Sequence, residues 1–107
     1  RLRLVTGSPG GSTIITTVLQ IVLNVLDYGM DTGAAVSVPR IHYQWLPDRV
    51  RVEKYGLDAA TLAELRRRGH RIQGQSPWGN ANAIAVSPDG SLEGAADPRG
   101  EGLPSGF

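Results

Sequence analysis

Leu2-Arg3-Leu4-Val5-Thr6-Gly7-Ser8-Pro9-Gly10-Gly11-Ser12, with the apolar run from Thr13 to Tyr28 behind it, decides how this chain folds. Leu2 to Thr6 alternates as a strand does, Gly7 to Ser12 is a turn, and the run after it reads as a helix. The first amides of a helix have no intrahelical partner and carry the positive end of its dipole. Gly10 and Gly11 let the backbone bend tightly and leave those amides uncovered, so negative charge can be held there by backbone alone. Nucleotide binding is not supported: a P-loop lysine is missing, and Ser8-Pro9 interrupts a dinucleotide fingerprint. A nucleophile elbow needs a small residue where Ile14 stands. Ser12 is therefore expected to cap the helix. On pattern alone the loop is a tight turn with a good helix start.

In the helix, Thr13, Thr16, Thr17, Gln20, Asn24 and Asp27 gather into one polar stripe, and Ile14, Ile15, Val18, Leu19, Ile21, Val22, Leu23, Val25 and Leu26 fill the rest of the circumference. A helix so apolar is covered on more than one side. A chain of 107 residues supplies only part of that cover, so the sequence is expected to be a piece of a longer protein, opening in mid-domain. The apolar segment reaches only about 20 Å, short of the roughly 30 Å of a membrane core, and reads as a buried helix. Gly29 ends it. Asp31 or Thr32 caps a short second helix, which Pro39 stops near Val38, and its alanines suggest close packing.

From Arg40 the period changes to two. Ile41, Tyr43 and Trp45 share one strand face and His42 and Gln44 the other; a turn at Leu46-Pro47-Asp48-Arg49 leads to a partner strand at Val50 and Val52, making a hairpin. Asp58 caps a third helix, with Leu57 stapled on Leu62, an apolar face of Leu62 and Leu65, and Arg66-Arg67-Arg68 in its last turn. The arginines are read as favourable charge at a helix C-terminus and not as an anion site. His70-Arg71-Ile72 returns as an edge strand, followed by a loop through Gly74, Pro77 and Gly79. A second hairpin pairs Ala83 to Val86 with Leu92 to Ala95 around Ser87-Pro88-Asp89-Gly90-Ser91, and the tail after Asp97-Pro98-Arg99 is irregular. The fold class is α+β, antiparallel sheet with helices on a face.

Net charge is +1 and the basic residues are scattered, which argues against nucleic acid and a basic membrane patch. There is no cysteine, hence no disulfide or thiol chemistry. His42 and His70 sit on separate elements without a carboxylate cluster, so no metal and no cofactor is expected. Ser8 or Ser12, His42 or His70, and Asp27 or Asp97 offer a Ser-His-Asp set only as any small domain does. His42 reads as a satisfied strand residue, Asp97 and Arg99 as an ion pair closing the end of the sheet, and Trp45 and Trp78 as core residues that could also line a cleft.

Leu4 to Ser12, Ile14 to Gln20, Asp27-Tyr28-Gly29, Pro39-Arg40-Ile41-His42, Gln44-Trp45-Leu46-Pro47-Asp48 and Asp97-Pro98-Arg99 together resemble, in order and over essentially the whole chain, the C-terminal part of the small subunit of gamma-glutamyltranspeptidases, or glutathione hydrolases. The resemblance implies residues 1–107 as one fragment of a four-layer αββα N-terminal-nucleophile hydrolase, made by a precursor that cleaves itself into large and small subunits. In that family the small subunit's N-terminal threonine attacks the γ-glutamyl amide of glutathione, and water or an amino acid or peptide acceptor takes the γ-glutamyl group from the acyl-enzyme. Carried over, Gly10 and Gly11 donate their amides to the oxyanion, Gly11 also touching substrate. The nucleophile and the residues that bind the glutamyl moiety lie outside this sequence, so the chain alone is expected to be inactive. A Gln often stands in the family where this chain has Asn82, so substrate contacts there are not carried over. The resemblance further implies a periplasmic or extracellular enzyme without cofactor, partnered by the rest of the small subunit and the large subunit; the apolar first helix implies self-association of the isolated fragment. Its competitors are an acylase on a cephalosporin or poly-γ-glutamate, and a non-catalytic homologue or binding module of the same fold.

Overall fold

Strand β1 (Leu4–Gly7) runs into the glycine loop, a single 3₁₀ turn at Gly11–Thr13, and helix α1 (Ile14–Leu26). The computed structural model describes residues 1–106. The chain divides into two compact units, Arg1–Val38 with Gly79–Phe107, and Pro39–Trp78.

The first unit holds β1, α1, α2 (Thr32–Ser37), β5 (Asn82–Val86) and β6 (Leu92–Ala96). Its three strands form an antiparallel sheet in the order β1-β5-β6, with Val5 opposite Ile84 and Ile84 opposite Gly94. The β5–β6 hairpin turns where the Pro-Asp-Gly order predicts, with Gly90 at φ +86 and the Asp89 carboxylate accepting from Ser91 N and Oγ. Ile21, Ala35, Val36, Ala81 and Ala83 make the core, flanked by Leu4, Val25, Met30 and Ala95. The small residues of α2 and β5 let helix and sheet approach closely, as the alanines suggested.

Helix α1 is turned differently from the sequence reading. Its buried line is Thr13, Thr17 and Ile21, which includes part of the polar stripe, while Ile15 and Leu19 are 76% and 52% exposed. Asn24 Nδ2 donates to the carbonyl of Ala35, so the stripe's far end also faces α2. The short side chains of the stripe suit a close approach, and the broad apolar faces are left open. Gly29, at φ +67, ends the helix as expected, with Asp27 N and Tyr28 N donating to Leu23 O. Asp31 caps α2 through Ala34 N at 2.7 Å.

The second unit holds β2 (Ile41–His42), β3 (Val50–Glu53), α3 (Ala59–Arg67) and β4 (Ile72–Gln75), with sheet order β2-β3-β4. The expected hairpin is present but short: β2 pairs antiparallel with β3 over two residues, and Tyr43 to Trp45 lies outside it. Trp45 adopts φ +73, which no strand accommodates. His42 is buried and Ile41, Tyr43 and Trp45 are exposed, so Trp45 is not the core residue the sequence suggested. Strand β4 is the edge strand foreseen, yet it starts at Ile72, takes in Gly74 and runs parallel to β3, because α3 provides the crossover that parallel strands need. Asp58 caps α3 through Thr61 N at 2.7 Å. Glu64 accepts from both Arg67 and Arg68, a local pairing on the helix surface.

Among the described residues no helix is long and apolar enough to cross a membrane.

Candidate functional site

The glycine loop owes its shape to two conformations that side chains rarely adopt. Gly10 has φ +137 and ψ 15, and Gly11 has φ +59. A Cβ on Gly10 would come within 2.6 Å of Thr13 Oγ1. Glycine is therefore favoured at position 10 by backbone and by space, and at position 11 by backbone alone.

Ser12 is not the cap the sequence suggested. No side chain caps the 3₁₀ turn or α1. Thr13, 6% exposed, instead turns its hydroxyl back to donate to the Gly10 carbonyl at 2.9 Å, beside its own amide at 3.2 Å. The Ser8 hydroxyl donates to the Pro9 carbonyl at 2.8 Å and accepts from Asn80 N at 3.3 Å. Carbonyls are thus engaged on one side of the loop, while the amides of Gly10 and Gly11 donate to no group among the described residues. The place is suited to an anionic oxygen: two adjacent donors, no side chain above them, and the positive end of a thirteen-residue helix next in sequence.

The loop's support comes from the end of the sheet. Thr6 Oγ1 donates to Asn82 O across β1 and β5. Asp97, buried to 1% exposure, accepts Ala81 N on Oδ2 and Arg99 N on Oδ1. Arg99 Nη1 pairs with Asp97 Oδ1 at 2.9 Å and also reaches Val36 O, while Nη2 reaches Val38 O. This is the ion pair foreseen at the end of the sheet, and it ties the β5 entry, α2 and the tail together. The turn it anchors brings Gly100 so near Asn80 that a Cβ there would collide with the Asn80 side chain. Beside the loop, Val5, Thr6, Gly7, Ser8, Pro9, Asn80, Asn82 and Ile84 line a groove of about 380 Å³.

His42, His70, Trp45 and Trp78 belong to the second unit. His42 is buried, its Nε2 2.7 Å from Gln44 Oε1, as a satisfied strand residue should be. His70 meets Tyr43 edge to face. Trp78 is core, whereas Trp45 is 73% exposed. Glu53, which the sequence reading passed over, is 3% exposed and binds the amides of Arg40 and Trp78 through its two oxygens; Arg40 Nη1 donates to Trp78 O. It closes the second unit on itself. The signal was a lone acid at an alternating strand position, which periodicity assigns to solvent. No group of acidic or histidine residues among those described could hold a metal.

The family model described as gamma-glutamyltranspeptidase matches residues 1–107. The glutathione hydrolase proenzyme of Escherichia coli (strain K12) is 53% identical over 96 residues, covering 90% of this chain and 16% of that protein. The acylase ACY 1 proenzyme of Pseudomonas sp. (strain SE83) is 36% identical over 106 residues, covering 97% of this chain and 18% of its own length. A crystal structure of an acivicin-inhibited gamma-glutamyltranspeptidase superposes with a TM-score of 0.88 at 50% identity, over 92% of this chain and 54% of that one. The chain thus spans less than a fifth of the length of these two curated relatives.

Proposed function

Since the chain belongs to the gamma-glutamyltranspeptidase family, we propose that the full-length protein carrying it cleaves γ-glutamyl amides such as glutathione through an acyl-enzyme, and passes the γ-glutamyl group to water, an amino acid or a peptide. The observation that carries this reading is the pair of undonated amides at Gly10 and Gly11, next to a helix start that no side chain caps. Attack on an amide carbonyl turns its oxygen into an oxyanion, and preorganised N–H donors lower that barrier by about 3 to 4 kcal/mol each. Gly11, where a Cβ would meet nothing within 4 Å, touches the substrate.

The nucleophile and the groups that bind the glutamyl moiety come from the rest of the small subunit and from the large subunit, and residues 1–107 act as one C-terminal portion of that assembly. The exposed Ile15 and Leu19 of α1 support such partners, since a helix of this composition is stable only when covered. Without them the isolated chain self-associates through the same face and is inactive. The enzyme works in the periplasm or outside the cell and needs no cofactor.

The acylase relative supports a second reading, action on another acyl amide such as a cephalosporin side chain or poly-γ-glutamate. Release of chromophore from a γ-glutamyl anilide by the full-length protein, after time for self-cleavage, decides between them. Turnover by the cleaved protein beside an inactive 107-residue chain supports the proposal. A cleaved protein inactive on the anilide points to the acylase reading, and an uncleaved, inactive one to a non-catalytic homologue.

A further inference from the structure

Building on the oxyanion reading of Gly10 and Gly11, we propose that Ser8 and Thr13 are the positioning residues that aim these two amides, each by holding the carbonyl on the opposite edge of the same peptide plane.

A trans peptide is a rigid plane with its C=O and N–H pointing in opposite directions. The cis bond among the described residues is Leu46–Pro47, so the planes joining Pro9 to Gly10 and Gly10 to Gly11 are both trans. In the first, the Ser8 hydroxyl grips the Pro9 carbonyl at 2.8 Å, which sends the Gly10 amide the other way. In the second, the Thr13 hydroxyl grips the Gly10 carbonyl at 2.9 Å, which does the same for the Gly11 amide.

Such grips matter because glycine has the softest backbone of any residue, and a Gly-Gly pair left alone rotates its planes freely. An oxyanion hole works only if its donors already point at the developing charge. The direction of the two hydroxyl bonds separates this role from capping. A cap accepts from a helix amide and so removes a donor; Ser8 and Thr13 donate to carbonyls and leave both amides open. The two grips are held from different sides. Thr13 is buried on the line of α1 that continues to Thr17 and Ile21, and Ser8 accepts from Asn80 N, whose neighbour Ala81 is fixed by Asp97.

The test uses the full-length protein with Thr13→Val, which keeps the shape and loses the hydroxyl, Thr13→Ser, which restores it, and Ser8→Ala with Ser8→Thr as the matching pair. Self-cleavage is followed on gels, and kcat and KM are measured on a γ-glutamyl anilide. Thr13→Val and Ser8→Ala should each lower kcat about tenfold, below the roughly hundredfold of deleting a donor outright, with KM little changed. Thr13→Ser and Ser8→Thr should recover most of the loss. Wild-type kcat in both hydroxyl-free variants, or an equal loss in Thr13→Val and Thr13→Ser, overturns the proposal. Should Thr13→Val fail to fold, the Ser8 pair decides on the same criteria. The reading beneath falls separately, if a correctly cleaved Gly11→Pro protein keeps wild-type turnover.

Discussion

Among the described residues, α1, α2 and α3 begin in two ways. α2 and α3 start under aspartates, Asp31 and Asp58, whose carboxylates accept Ala34 N and Thr61 N. α1 starts from a glycine loop with no side-chain cap, and the nearby hydroxyls bind carbonyls instead. A side-chain cap satisfies one of a helix's own orphan donors and serves the fold. On the proposed oxyanion role, an uncapped start next to two bare glycine amides keeps its donors for the substrate. Stability and catalysis thus ask opposite things of the same piece of backbone.

The sharpest way to break the contrast is to remove a donor from the uncapped start alone. Gly11→Pro deletes an amide and forbids φ +59, and should lower γ-glutamyl turnover of the full-length protein at least about a hundredfold. Next comes the support beneath the loop. Arg99→Ala takes the guanidinium charge away from the buried carboxylate of Asp97 and should cost about 3 kcal/mol or more in urea unfolding. Asp31→Ala removes a cap that serves only the fold: about 1 kcal/mol of stability, with kcat per correctly folded molecule unchanged. The smallest effect is a matter of pH. The Asp58 carboxyl is held below its ordinary range chiefly by the hydrogen bond from the Thr61 amide. Its contribution is therefore present above the unfolded-state value and fades as pH falls through the lowered one. The thermal midpoint of wild type should drop below about pH 4 slightly more than that of Asp58→Asn, whose cap does not titrate.

Much of this was legible in the sequence. The order of elements, Gly29 as a stop, Asp31 and Asp58 as caps, the Pro-Asp-Gly hairpin and the Asp97–Arg99 pair all follow from local chemistry, which residues carry with them. What was not legible depends on partners distant in sequence. Periodicity placed Ile41, Tyr43 and Trp45 on one strand face, but could not foresee that β2 ends at His42 or that β3 pairs with β4 in parallel. It put the threonines of α1 in one stripe without saying that Thr13 and Thr17 face inward. At the loop, the glycines announced exposed amides. The proposed roles of Ser8 and Thr13 were hidden because Ser8 read only as a member of a chance Ser-His-Asp set and Thr13 as part of a polar stripe, and the sequence does not say which carbonyls their hydroxyls bind.

The most direct test of the central claim is a crystal structure of the full-length protein with a tetrahedral γ-glutamyl adduct, such as a boronate, on its nucleophile. Gly10 N and Gly11 N should both lie about 2.7 to 3.1 Å from the adduct oxygen that stands for the oxyanion, with the Ser8 and Thr13 hydroxyls still on the Pro9 and Gly10 carbonyls. An adduct oxygen held by other donors, with the two glycine amides turned away from it, would contradict the account.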